Sequence, residues 1–134
     1  MTYVLDSSAL LRFLDGEAGS DRVVEIIKGH LAGRNLAVMS AIHWGEVAGI
    51  TCKVHGKAAM DLVLSRLPSF GFEIVPATAE RAVRAALIKA VRGIPYADAF
   101  GVELAESPQC ILVTADFDLK AASRDVKTEF LPKK

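Results

Sequence analysis

The sequence predicts an α/β fold: a three-layer α/β/α domain around a central parallel sheet of four to five strands. Two observations carry that expectation. Short, continuously apolar runs alternate along the chain with longer segments of helical period. The runs also lack the in–out alternation of a sheet with one wet face, so helices are expected over both faces, as in parallel sheets. At 134 residues the chain is sized for one core, and 1–134 is read as a single domain.

The elements follow in order. Thr2-Tyr3-Val4-Leu5 reads as the first strand. A helix at 7–15 carries Ala9, Leu10, Phe13 and Leu14 on one stripe and ends at Gly16. Ser20 is expected to cap a helix at 21–32, with Val23, Val24, Ile27 and Leu31 inward. Residues 36–39 are a second strand. Ser40 caps a helix to about 54, Gly56 breaks it, and another helix runs to Leu67. Pro68, Ser69 and Gly71 mark a loop before a third strand at 72–75. Thr78 caps a helix to about 91. Gly93-Ile94-Pro95 is a turn, with Pro95 expected as the first residue of a helix to about Glu106. A fourth strand at 111–114, a short helix at 117–123 and an edge strand at 126–130 complete the chain.

Composition bounds the function. A chain that is 51% hydrophobic is not expected to be disordered. It holds no run of eighteen apolar residues, so no membrane helix is expected. The start of the chain has no basic region followed by a cleavage pattern, so a cytoplasmic location is expected. Cys52 and Cys110 match no metal motif and are expected to be buried free thiols. Sixteen bases balance sixteen acids. If five acids are spent on a metal site, eleven remain against sixteen bases, and the remaining surface is positive enough to meet a polyanion.

Those five acids, Asp6, Glu46, Asp98, Asp116 and Asp118, stand where strands end or where facing helices begin. In open α/β sheets chemistry collects outside the carboxyl ends of the strands. Two carboxylates roughly 4 Å apart repel by about 4 kcal/mol at an effective dielectric of about 20. A hard divalent cation such as Mg²⁺ removes the conflict. Asp6 ends the first strand; it reads equally well as a metal ligand or as the N-cap of the next helix. Ser8 either orients Asp6 or is ordinary capping. Glu46 lies among small and apolar neighbours, on an exposed stripe or in a polar pocket. His43, one turn earlier, either approaches the same site or is a surface residue. Asp98 complements the macrodipole of its helix, which favours its ionised form, yet its apolar neighbours suggest a pocket. In Thr114-Ala115-Asp116-Phe117-Asp118, Asp116 is favoured as a ligand and Asp118 as auxiliary.

Other chemistries lack their motifs. There is no Gly-rich phosphate loop, no Gly-x-Ser-x-Gly elbow, no Cys-x-x-Cys and no His-x-x-x-His pair. A haloacid-dehalogenase-like phosphatase needs an acid where Ser8 stands. A phosphoryl-receiver domain needs an Asp ending a central strand, where Met39-Ser40 offers none.

Four stretches together resemble a PIN-domain ribonuclease, most closely the VapC-type toxins of toxin–antitoxin pairs. They are Val4-Leu5-Asp6-Ser7-Ser8-Ala9-Leu10-Leu11, Ser40-Ala41-Ile42-His43-Trp44-Gly45-Glu46-Val47, Ile94-Pro95-Tyr96-Ala97-Asp98-Ala99-Phe100 and Leu112-Val113-Thr114-Ala115-Asp116-Phe117-Asp118. The resemblance covers the whole chain in order. It implies a PIN-like fold and an acidic pocket for Mg²⁺ or Mn²⁺, held by Asp6, Glu46, Asp98 and Asp116. Asp118 matches a position that is often acidic, and Ser8 and Thr114 match polar positions near the metals. Phe117 departs, standing where a polar residue is frequent.

The activity implied is metal-dependent hydrolysis of RNA, leaving 5′-phosphate and 3′-hydroxyl ends. The alternative is a catalytically silent PIN-like module that binds RNA or protein. Lys53, Arg92, Lys120 and Arg124 lie near the motif helices, as phosphate contacts or as solvated surface charges. The resemblance further implies a small antitoxin protein as partner and a homodimer. Ala9–Leu14 and Ile42–Ile50 would supply the antitoxin's groove or belong to the core.

Overall fold

The computed structural model of the chain describes residues 1–134, with the side chains of 121–123 excepted. The apolar run at its start forms β1 (Thr2–Leu5), the central strand of five. On one side lie β2 (Leu36–Ser40) and then β3 (Glu73–Val75); on the other lie β4 (Cys110–Thr114) and then β5 (Thr128–Phe130). Every pairing is parallel, and Val4 stands level with Val38 on one side and Leu112 on the other. The helices are α1 (Ser7–Leu14), α2 (Ser20–Leu31), α3 (Ala41–His55), α4 (Lys57–Arg66), α5 (Ala79–Arg92) and α6 (Tyr96–Leu104).

Side-chain alternation along the strands builds the three layers. Leu5, Met39 and Val113 join one apolar cluster with residues of α1 and α2. Their neighbours Val4, Val38 and Leu112 join a second cluster with residues of α5 and α6. Successive strand residues point to opposite faces, so continuously apolar strands need both faces covered.

The chain runs outward from β1 to β3, then returns to lay β4 against β1's other side. That reversal falls between β1 and β4, whose carboxyl ends are the usual ligand position in open sheets. Asp6 and Asp116 follow these two strands.

Capping follows the sequence at three helices. Asp6 Oδ1 accepts the Ala9 N–H, Ser40 Oγ that of Ile42, and Thr78 Oγ1 that of Arg81. Several expectations are corrected. Gly19, with φ of 90°, occupies the cap position of α2, and Ser20 is its first helical residue without a capping bond. Leu31 is exposed, because the buried stripe of α2 runs through Val23, Ile26 and Ile27. Pro95 caps α6 instead of starting it, and α6 ends at Leu104. Cys52 and Cys110 are free but only partly buried. Ala9, Leu10 and Val47 lie in the core, whereas Ile50 is exposed. Among the described residues no helix is long and apolar enough to cross a membrane.

The last residues are strapped down. Arg12, buried, donates from Nη1 to the Ala18 carbonyl at 2.7 Å and the Pro132 carbonyl at 2.8 Å. Leu131 is buried, and its Cβ would lie 2.9 Å from a Cβ added at Gly19. Gly19 is therefore required twice, by its left-handed φ and by this close approach. Gly19→Ala is expected to destabilise the fold by more than about 1 kcal/mol in urea unfolding; an unchanged midpoint would contradict the strap.

Candidate active site

Asp6 carries the ladder one residue past β1: its N–H donates to the Val113 carbonyl at 3.2 Å. This sets its side chain beside the end of β4. Its Oδ1 accepts from Ser8 Oγ at 2.6 Å and from the Ala9 N–H at 2.9 Å. Ser8 Oγ also accepts the Ala115 N–H at 2.9 Å and lies 3.2 Å from Thr114 Oγ1. Thr114 Oγ1 accepts the Asp116 N–H at 3.0 Å, and Asp116 Oδ1 accepts the Asp118 N–H at 3.0 Å. One polar chain thus joins the end of β1 to the turn after β4. Of the two readings of Asp6, the helix cap is what these bonds show, and its carboxylate also acts on Asp98. Its burial raises its pKa, against the opposing hydrogen bonds from Ser8, Thr114 and Ala9.

Glu46 is brought in by α3, which packs on α1 and α6. Its Oε1 accepts from Ser7 Oγ at 2.9 Å. Asp98 sits in the first turn of α6, half-buried. Its pKa is pushed up to about 6, first by burial and then by the charges of Asp116, Asp6, Glu46 and Asp118. All five acids therefore share one electrostatic environment. The helix dipole was expected to favour ionised Asp98; burial and four neighbouring carboxylates outweigh it.

Two residues carry more than the sequence suggested. Ser7 holds Glu46; its only sequence signal is a hydroxyl pair directly after a strand. His43, for which a surface position was one reading, is fully buried. Its Nε2 lies 3.8 Å from Glu46 Oε1, and among the described residues neither ring nitrogen has a hydrogen-bond partner. Phe117 stacks on Phe130, with ring centroids 5.5 Å apart, and Lys133 and Lys120 lie over its ring. Of the four basic candidates, Arg92 pairs with Asp125, while Lys53, Lys120 and Arg124 are exposed.

The donor set suits a hard divalent cation. Carboxylate oxygens are its ordinary ligands, and the raised pKa of Asp98 registers a charge conflict that such an ion would relieve. Among the described residues, no three His, Cys, Asp or Glu side chains are arranged to hold an ion as they stand. The acids share a field without forming a closed cage, so ion binding would require side-chain adjustment.

A three-layer parallel domain with carboxylates gathered at its switch point defines a class of acid-centred α/β proteins. A family model of the PIN domain matches residues 3–125, and the chain belongs to the PIN domain family. No curated protein matches it. Solved structures share its fold. A chain of the VapBC2 complex of Rickettsia felis, bound to promoter DNA, is 19% identical with a TM-score of 0.73, over 97% of this chain and 98% of that one. A chain of DNA-bound VapBC from Salmonella typhimurium is 15% identical with a TM-score of 0.70, over 97% and 98%. Mycobacterium tuberculosis VapC20, described as a toxin cleaving the sarcin–ricin loop, is 15% identical with a TM-score of 0.66, over 97% and 99%.

The raised pKa of Asp98 sets a pH dependence. Between its ordinary value of 3.8 and about 6, the folded state binds more protons than the unfolded one. Stability from this group therefore falls as pH rises through that window. In metal-free protein, Asp98→Asn is expected to be more stable than wild type at pH 7, with the gap closing by about pH 4. Thermal unfolding across that range tests this, and a gap that widens toward low pH would contradict it.

Proposed function

We propose that this protein is a metal-dependent endoribonuclease, the toxin of a toxin–antitoxin pair. The observation that carries the reading is the convergence of Asp6, Glu46, Asp98 and Asp116 from four separate segments on one electrostatic environment, with Asp118 beside them. Membership of the PIN family and the shared fold with toxin–antitoxin structures support it.

Asp6, Glu46, Asp98 and Asp116 would hold Mg²⁺ or Mn²⁺, with Asp118 as an auxiliary acid. When bound, such an ion activates a water and neutralises charge on the phosphate oxygens. The chain's own groups do the rest. Ser8 and Thr114 fix the Asp6 carboxylate and the turn bearing Asp116. Ser7 fixes Glu46. An acid of the set accepts the attacking water's proton. Exposed Lys53, Lys120 and Arg124 offer phosphate contacts that carry no sequence information.

The partners proposed are RNA as substrate, a small antitoxin that covers the acids, and a second copy of the chain. The rival reading is a catalytically silent module for RNA or protein. It has one observation on its side, the open arrangement of the acids. Against it, every ligand position of the resemblance is filled by an acid.

The test is cleavage of end-labelled total and transfer RNA by purified, antitoxin-free protein. Cutting is expected with Mg²⁺ or Mn²⁺ and none with EDTA. Asp98→Asn and Asp6→Asn are expected to lose it while keeping the wild-type circular dichroism spectrum. Full activity in the Asp98 variant would remove that residue from the site, and folded wild-type protein that never cuts would favour the silent module.

A further inference from the structure

We propose that His43 is a positioning residue for the acidic site: its Nε2–H steers the Glu46 carboxylate, and its ring spaces the helices bearing Glu46 and Asp98. The inference rests on the metal-site reading above.

Three observations carry it. His43 is completely buried, yet among the described residues neither ring nitrogen is hydrogen-bonded. A buried polar group without a partner is costly, and an apolar side chain of similar size would avoid that cost. The imidazole therefore needs a use that this arrangement of the site only approaches. The acceptor it approaches is Glu46 Oε1, at 3.8 Å. That is too long for a hydrogen bond, and a shift of about 1 Å would make one. Glu46 has room for that shift, since its side chain is 37% exposed; Ser7 Oγ donates to the same oxygen. Drawing the acids in around a cation calls for a motion of this size.

The ring's second contact is with α6. A Cβ built at Gly101 would lie 2.9 Å from His43 Cε1, so glycine there leaves the notch in which the ring sits. Gly101 is one turn beyond Asp98 on the same helix. His43 thus lies, through neighbouring ring atoms, against both the glutamate of α3 and the helix that presents Asp98. Metal sites commonly depend on such outer groups to orient their ligands.

Three variants test the inference in the full-length protein: His43→Leu, His43→Gln and His43→Asn. Mn²⁺ binding is read from the loss of the free-ion electron paramagnetic resonance signal, RNA cleavage as kcat and KM, and folding by thermal melting. His43→Leu is expected to fold, to bind Mn²⁺ about tenfold more weakly and to lose kcat to a similar degree, with KM for RNA unchanged. Gln places an amide N–H near the imidazole Nε2 position and is expected to restore most of both; Asn stops near Nδ1 and is not. A folded Leu variant with wild-type Mn²⁺ affinity and kcat would overturn the inference. Should Leu fail to fold, equal affinities in Gln and Asn would overturn it. Wild-type protein that takes up no Mn²⁺ would instead remove the metal-site reading, and this inference with it.

Discussion

Repulsion among carboxylates at the carboxyl edge of the sheet is the constraint around which the rest of the molecule is organised. Burial first, and then the charges of the four other acids, raise the pKa of Asp98 to about 6. Folding tolerates this because each acid is held by something that does not depend on its neighbours. Asp6 is fixed by the β ladder and by its capping bond to α1. The turn after β4 is tied to β1 through Ser8 and Thr114. Glu46 is delivered by α3, and Asp98 by α6, which packs on β1 and β2. The scaffold supplies placement, and the charge conflict remains unresolved for a cation to relieve.

The strapped last residues and two sets of ion pairs lie away from the acids. Arg81 and Arg84 both reach the buried Glu103, joining α5 to α6. Arg22 grips Glu129 of β5 with two hydrogen bonds. The helix carrying Asp98 and the edge strand beyond β4 are therefore both braced away from the acids. Removing Arg81 or Arg84 would leave the buried Glu103 carboxylate with fewer partners, so these contacts hold α6 against α5.

Much of this was legible in the sequence, for a physical reason. Continuously apolar strands demand two covered faces, and an acid placed just beyond such a strand interrupts a pattern that is otherwise uniform. Asp6 and Asp116 are visible on that ground alone. Asp98 is visible as an acid in an apolar helix start, but its proton affinity is not, because that depends on charges from three other segments. Ser7 escapes, and His43 stays undecided between the site and the surface, for a different reason. Their roles arise from contacts between α1, α3 and α6 that no local period encodes, and a lone histidine in a helix has several ordinary fates. Leu31 and Ser20 were misread because the rotation of α2 is set by its packing, with Gly19 adopting a left-handed turn against Leu131. The PIN resemblance fixed the order of the acids, and the topology supplied the reason that order brings them together.

The most direct test of the central claim is a calorimetric titration of metal-free protein with Mn²⁺ at pH 6 and pH 8, each in two buffers of different ionisation enthalpy. If the acids form one cation site in conflict with itself, binding at pH 6 releases protons, as the ion displaces the one held by Asp98. At pH 8, where Asp98 is ionised before the ion arrives, release should be smaller. Binding with equal proton release at both pH values, or no binding at either, would contradict the account.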